Sequence, residues 1–319
     1  MAAMRRTQAR GMPPAGRVGG PPVRLPSMSR LRSGASTLAI CLGLVYVLWG
    51  STYLAIRLAV EGLPPLMLSA MRNLSAGALL FAWLRWRGAP LPSARQWRNG
   101  VLIGFMMMSI GNGFVCLAEK SVPSGLAALV VGSAPVFAIA FGALFGSRPR
   151  PLEWVGVAAG FAGVALLNLD LRAAASPGAV ALLVVATASW SFATILQPRL
   201  DLPKGPSSAC VQMLGGGACL TVMTALRGER LPQHVPVQSW LALAYLVVFG
   251  SLVAYTAFVY VINHSRPALA TSYAYVNPVV AVGLGAAFAG EHVTWPLAAA
   301  MAVILGGVVM VMIGHARAR

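Results

Sequence analysis

Acidic residues are scarce in this chain: seven Asp and Glu against 24 Lys and Arg in 319 residues. Charged residues of both signs amount to 10%, where a soluble globular domain carries roughly a quarter. With 58% hydrophobic residues, that shortage excludes a soluble fold and points to a polytopic membrane protein. The acids are Glu61, Glu119, Glu153, Asp170, Asp201, Glu229 and Glu291, and none falls near the middle of an apolar run. A mid-membrane carboxylate for proton coupling is therefore absent. Glu119 and Glu61, close to membrane edges, are the coupling candidates, weighed against an ordinary helix-end role. Histidine is rarer still: His234, His264, His292 and His315 sit in loops or at a terminus, so no metal site is expected. Cys41, Cys116, Cys210 and Cys219 lie in apolar segments without a CxxC pair and read as small packing residues. No nucleotide loop, HExxH or Ser/His arrangement occurs at membrane depth, so the chain is not expected to be an enzyme, and no cofactor is expected.

What is present is length in apolar runs. Ten of them, roughly 37–60, 65–85, 98–118, 122–146, 152–169, 178–198, 207–226, 238–262, 267–290 and 295–314, each approach or exceed the roughly 20 residues that cross a bilayer. Strands are excluded, because the runs are twice a barrel strand's length and do not alternate. Residues 1–33 form a basic, Pro/Gly-rich tail with seven arginines and no acid, the composition of disorder; Met28 is a candidate start. The basic excess belongs to loops and tail, so nucleic acid is not an expected partner. With the N-terminus inside, eighteen basic residues face the cytoplasm and five (Arg57, Lys120, Arg172, Arg227, Arg230) the other side. Both termini are then cytoplasmic, and only Arg72 is left inside a span.

The run from Pro267 to Glu291 repeats an earlier design. Under a shift of 143 residues Pro135 falls on Pro278, Gly142 on Gly285, Phe145 on Phe288 and Gly163 on Gly306; Trp49 and Trp190 pair at 141. Ten spans then divide into two five-helix halves, 37–169 and 178–314. An odd number per half inverts the second relative to the first, as in secondary transporters whose site lies between halves. Pro135 and Pro278 are hinge candidates, since each removes a helix hydrogen bond.

LWGSTYLAIR (Leu48–Arg57), PPLMLSAMRNLSAG, VPSGLAALV, LEWVGVAAGFAGV and PALATSYAYVNPVVAV together resemble the tandem EamA domains of the drug/metabolite transporter superfamily, nearest its YedA-like branch. The resemblance covers everything after the tail. It implies ten helices in a bacterial inner membrane, efflux or exchange of small metabolites, and a central cavity lined by helices 1–4 and 6–9. The fold class expected is an all-α polytopic membrane protein with ten transmembrane helices as two inverted repeats.

Polar residues inside the runs are the candidate substrate contacts, because such groups cost energy unless they face a cavity or a partner. Tyr46, Trp49, Tyr53 and Arg57 share one helical face; they form either a cavity wall or an aromatic anchor with a snorkelling arginine. Arg72 should be paired, with Glu61, Glu119 or a substrate carboxylate or phosphate. Asn112 lies between two glycines and contacts a substrate or a neighbouring helix. Tyr273, Tyr275 and Asn277 precede Pro278 and have no polar counterparts in the first half. The glycine stripes of the fifth and tenth runs are packing surfaces or a homodimer face. The function expected is a secondary transporter moving a small organic metabolite, amino acid or xenobiotic outward. The alternatives are a passive uniporter or channel and, less favoured, a membrane-embedded enzyme.

Overall fold

The structure, a computed structural model, describes residues 28–146, 176–265, 273–290 and 294–316, with scattered positions from 151 to 162. The chain divides into a unit ending at Ser36 and a main unit, Thr37–Arg319. Among the described residues all regular structure is helical. The helices are α1 (Met28–Val60), α2 (Pro65–Trp86), α3 (Ala94–Ala118), α4 (Ser124–Leu144), α5 (Pro177–Leu196), α6 (Pro206–Leu226), α7 (Val237–His264), α8 (Tyr273–Phe288) and α9 (Trp295–Ala316). Seven described helices, α1 to α7, are long and apolar enough to cross a membrane. The run expected at 152–169 lies almost wholly outside the described residues.

Local chemistry sets the boundaries. Pro65, Pro177 and Pro206 each open a helix, where the missing N–H has no intrahelical partner to lose. Ser93 and Gln96 form a reciprocal capping box at the start of α3. Gly88 and Gly228 take positive φ (72° and 67°) just past α2 and α6. In each case two amides fold back on the last turn: Gly88 and Ala89 onto Arg85 and Leu84, Gly228 and Glu229 onto Ala225 and Thr224. Start and stop signals thus recur about 140 residues apart, Pro65 with Pro206 and Gly88 with Gly228.

Two helices carry π-helical segments, and these recur likewise: Phe105–Asn112 in α3 and Leu246–Val253 in α7. A π segment leaves carbonyls off the regular ladder, and such segments mark functional sites. Here side chains take them up. Met106 O accepts from Ser189 Oγ at 2.8 Å, and Gly250 O accepts from Trp49 Nε1 at 3.1 Å.

The interior is sealed by close helix contact. α6 lies against α2 and α3 through Gly215, Gly216 and Gly217. A Cβ on Gly216 would stand 2.4 Å from Gly104 O, and one on Gly104 2.2 Å from Gln212 O. Small residues at crossings are the usual means of packing helices in lipid. Leu79, Trp83, Val101, Phe105, Val222 and Leu241 are exposed, as expected of side chains that face acyl chains.

The two prolines act differently. α4 breaks into Ser124–Val131 and Ala134–Leu144, and Pro135 sits in the first turn of the second segment. Pro278 lies inside α8. The break and the proline meet, since a Cβ on Gly132 would lie 3.1 Å from Pro278 Cγ.

Candidate functional site

A cavity opens between α1, α2, α3, α4, α5 and α8. Its volume is about 70 Å³, smaller than the roughly 300–1,000 Å³ of sites that enclose drug-sized ligands. Trp49 and Tyr53, one helical turn apart on α1, supply one wall. Arg72 of α2 and Asn112 of α3 supply the polar side, and Tyr273 and Asn277 of α8 stand across from them. Six of the seven candidate contacts read from the sequence therefore line one cavity. The side chain of the seventh, Tyr275, lies outside the described residues.

Arg72 organises the polar side. Its side chain is 4% exposed, and a guanidinium at this depth is tolerable only when hydrogen-bonded. Nε donates to Ser251 Oγ at 2.7 Å and Nη1 to Asn112 Oδ1 at 3.1 Å. Both acceptors come from the π segments, one from each. This corrects the expected pairing in part. Glu61 is exposed beyond the end of α1 and does not meet Arg72. Glu119 is fully buried at the end of α3, near enough to Arg72 and Tyr53 to interact electrostatically with both. The hydrogen bonds of Arg72, however, go to neutral oxygens. Asn112 thus bonds a residue of the neighbouring helix α2 while also lining the cavity.

Rings close the cavity on the side of α7. Trp49, Trp190, Tyr255, Phe258 and Tyr273 form one cluster, with Trp49 4.6 Å from Phe258, 5.0 Å from Tyr273 and 5.5 Å from Trp190 between centroids. The Tyr255 hydroxyl bonds Gln212 Oε1, which anchors the cluster to α6. Trp190 fits beside α3 because Gly111 has no side chain; a Cβ there would lie 2.9 Å from the indole. The Trp190 N–H is buried and makes no close hydrogen bond, with the Tyr273 hydroxyl as its nearby acceptor. The Asn277 amide, oriented with its nitrogen toward them, donates to Tyr273 O at 3.2 Å and Tyr46 O at 3.1 Å.

Of the α1 face, Tyr46 and Arg57 leave the cavity. Arg57 Nη1 donates to Glu119 O at 2.7 Å, holding the end of α3. The sequence reading missed Thr52, Ile56, Val115, Val131, Ala186, Thr187 and Trp190 in the lining, and Ser251 behind it. Trp190 did carry a signal: as the repeat partner of Trp49, it should occupy the matching wall.

The EamA-like transporter family matches this chain twice, at residues 37–169 and 177–313. An "Uncharacterized inner membrane transporter YedA" of Escherichia coli K12 is 43% identical over 271 residues, 85% of this chain and 89% of that protein. A "Probable terminal-alkyne amino-acid exporter" of Streptantibioticus cattleyicolor is 28% identical over 258 residues, 78% of this chain and 84% of its own length. One solved crystal structure superposes with a TM-score of 0.65 at 23% identity, covering 89% of this chain and 99% of the other. At that identity the likeness speaks for the fold alone.

Proposed function

The chain belongs to the EamA-like transporter family, as a multi-pass inner-membrane protein, and on that premise we propose that it is a secondary transporter exporting a small organic solute by alternating access. The observation that carries the proposal is the cavity itself. It gathers Trp49, Tyr53, Arg72 and Asn112 from the first family match and Trp190, Tyr273 and Asn277 from the second. A site built from both halves changes shape when the halves rock, which is what alternating access requires.

The wider architecture proposed is ten helices in two inverted repeats, 37–169 and 178–314, with both termini in the cytoplasm. The paired π segments and the matching start and stop signals of α2 and α6 support the repeat; the basic residues in alternate loops support the orientation. In that orientation Arg72, Asn112 and Tyr53 lie in the outer half of the membrane, and the ring cluster separates them from the cytoplasmic side. We assign the cluster as the inner gate and Pro278, against the α4 break, as the point where α8 and α4 pivot. Glu119, buried and felt electrostatically by Arg72, is the coupling residue of this scheme; exposed Glu61 has no part in it.

A relative named as an amino-acid exporter is in keeping with a small organic cargo and an outward direction. The test is metabolite comparison of medium from cells overexpressing and lacking the protein, followed by flux of the hits in reconstituted vesicles with and without a pH gradient. Export that saturates and is lost in Trp49→Ala supports the proposal. Non-saturating flux would favour a channel.

A further inference from the structure

The chemistry of the cargo follows from which polar groups around the cavity are already committed, an argument that rests on the transport reading. Trp49 gives its N–H to Gly250 O, Thr52 its hydroxyl to Trp49 O, and Thr187 its hydroxyl to Leu183 O. Asn112 Oδ1 is taken by Arg72, and the Asn277 amide nitrogen serves two carbonyls. What remains includes donors without a close acceptor. Arg72 spends Nε and Nη1 on Ser251 and Asn112, while Nη2 enters no hydrogen bond among the described residues. The Trp190 N–H is buried and makes no close hydrogen bond, the Tyr273 hydroxyl being the acceptor near it among the described residues. The Tyr53 hydroxyl lines the same space. Among the described lining residues none is acidic.

A buried donor left unmade costs free energy that a ligand acceptor recovers. A cationic solute would meet Arg72 without a lining carboxylate to balance it. A neutral carbonyl can accept from the guanidinium edge but leaves its charge unbalanced. A dianion such as a phosphate monoester would ask for more than the one guanidinium that lines the cavity. We infer that the cavity takes a small organic carboxylate, its oxygens on Arg72 Nη2 and the Trp190 N–H and its apolar body against the Trp49 and Tyr273 rings. Ser251 and Asn112 act as positioning residues, fixing the guanidinium with Nη2 beside Gly250 and the cavity-lining Thr52.

The test uses the full-length purified protein and four probes of one shape: phenylacetate, L-phenylalanine, phenylacetamide and phenethylammonium. Binding is read by calorimetry or by the shift in thermal unfolding. We expect one or both carboxylates to bind roughly ten- to a hundredfold tighter than the amide, the worth of a charge-assisted hydrogen bond. Preference between the two separates a plain carboxylate from an amino acid. Arg72→Gln should abolish the difference. Because that variant can fail to fold, Trp190→Phe, which keeps the ring and removes the N–H, should weaken carboxylate binding several-fold on its own. Equal or tighter binding of amide or ammonium, no binding by either carboxylate, or carboxylate affinity unchanged in Trp190→Phe overturns the inference. Vesicle flux separates it from the transport reading: cavity-dependent flux of the amide or ammonium defeats the carboxylate and keeps the transporter. Carboxylate binding without flux does the reverse.

Discussion

Arg72 shows what a single residue discloses in sequence and what it hides. A lone cation in an apolar run announces a buried site, because lipid offers it nothing. Its partners were harder to read. The scarcity of acids directed attention to Glu61 and Glu119, whereas the structure answers with Ser251 and Asn112. A serine in a membrane helix usually bonds its own backbone, so nothing in the sequence marks Ser251. Removing its hydroxyl leaves a charged donor unmade, and we expect Ser251→Ala to lower unfolding stability in detergent by about 1–3 kcal/mol. Combined with Asn112→Ala the losses should be non-additive, since both act through one guanidinium; strictly additive losses would separate the two contacts. Trp190 was hidden for a different reason: an aromatic residue in an apolar run is ordinarily core, and only its place in the repeat pointed further.

Elements were the most legible level, because apolar runs of about 20 residues and their Pro and Gly punctuation leave few alternatives. The described helices begin and end within a few residues of the runs they came from, with two exceptions: α1 starts at Met28, well before the expected 37 and inside the stretch 1–33 read as a disordered tail, and the expected first residues of α8 are not described. The π segments were not legible. Where every face of a helix is apolar, the hydrophobic pattern carries no information on register, so one extra residue per turn leaves no trace. Their effect is testable. Deleting Ile110 should restore regular α geometry to α3 and rotate Asn112 away from Arg72. Helical content by circular dichroism should hold while transport is lost; retained transport would deny the π segment a role. The α3–α6 crossing makes a second prediction at this scale. Gly216→Ala forces a Cβ to 2.4 Å from a backbone oxygen that cannot rotate aside, at a cost of about 1–3 kcal/mol in unfolding stability. Gly43→Ala, with nothing within 4 Å, should be near neutral.

At the scale of the molecule, composition alone declared the membrane, and the proline and glycine frame suggested the duplication. The shape of the cavity was beyond sequence reasoning, because it depends on which faces of six helices converge. That convergence makes the central claim open to direct attack. If the cavity is the site of an alternating-access transporter, one position in it must meet water from either side in turn. Thr187 is 1% exposed, lines the cavity and differs little in size from cysteine. In a chain with Cys41, Cys116, Cys210 and Cys219 replaced by alanine, Thr187→Cys is to be labelled with a membrane-impermeant maleimide in right-side-out and inside-out vesicles. The account predicts labelling from both sides, slowed by the transported solute. Labelling from one side only, whatever the solute or gradient, would contradict it.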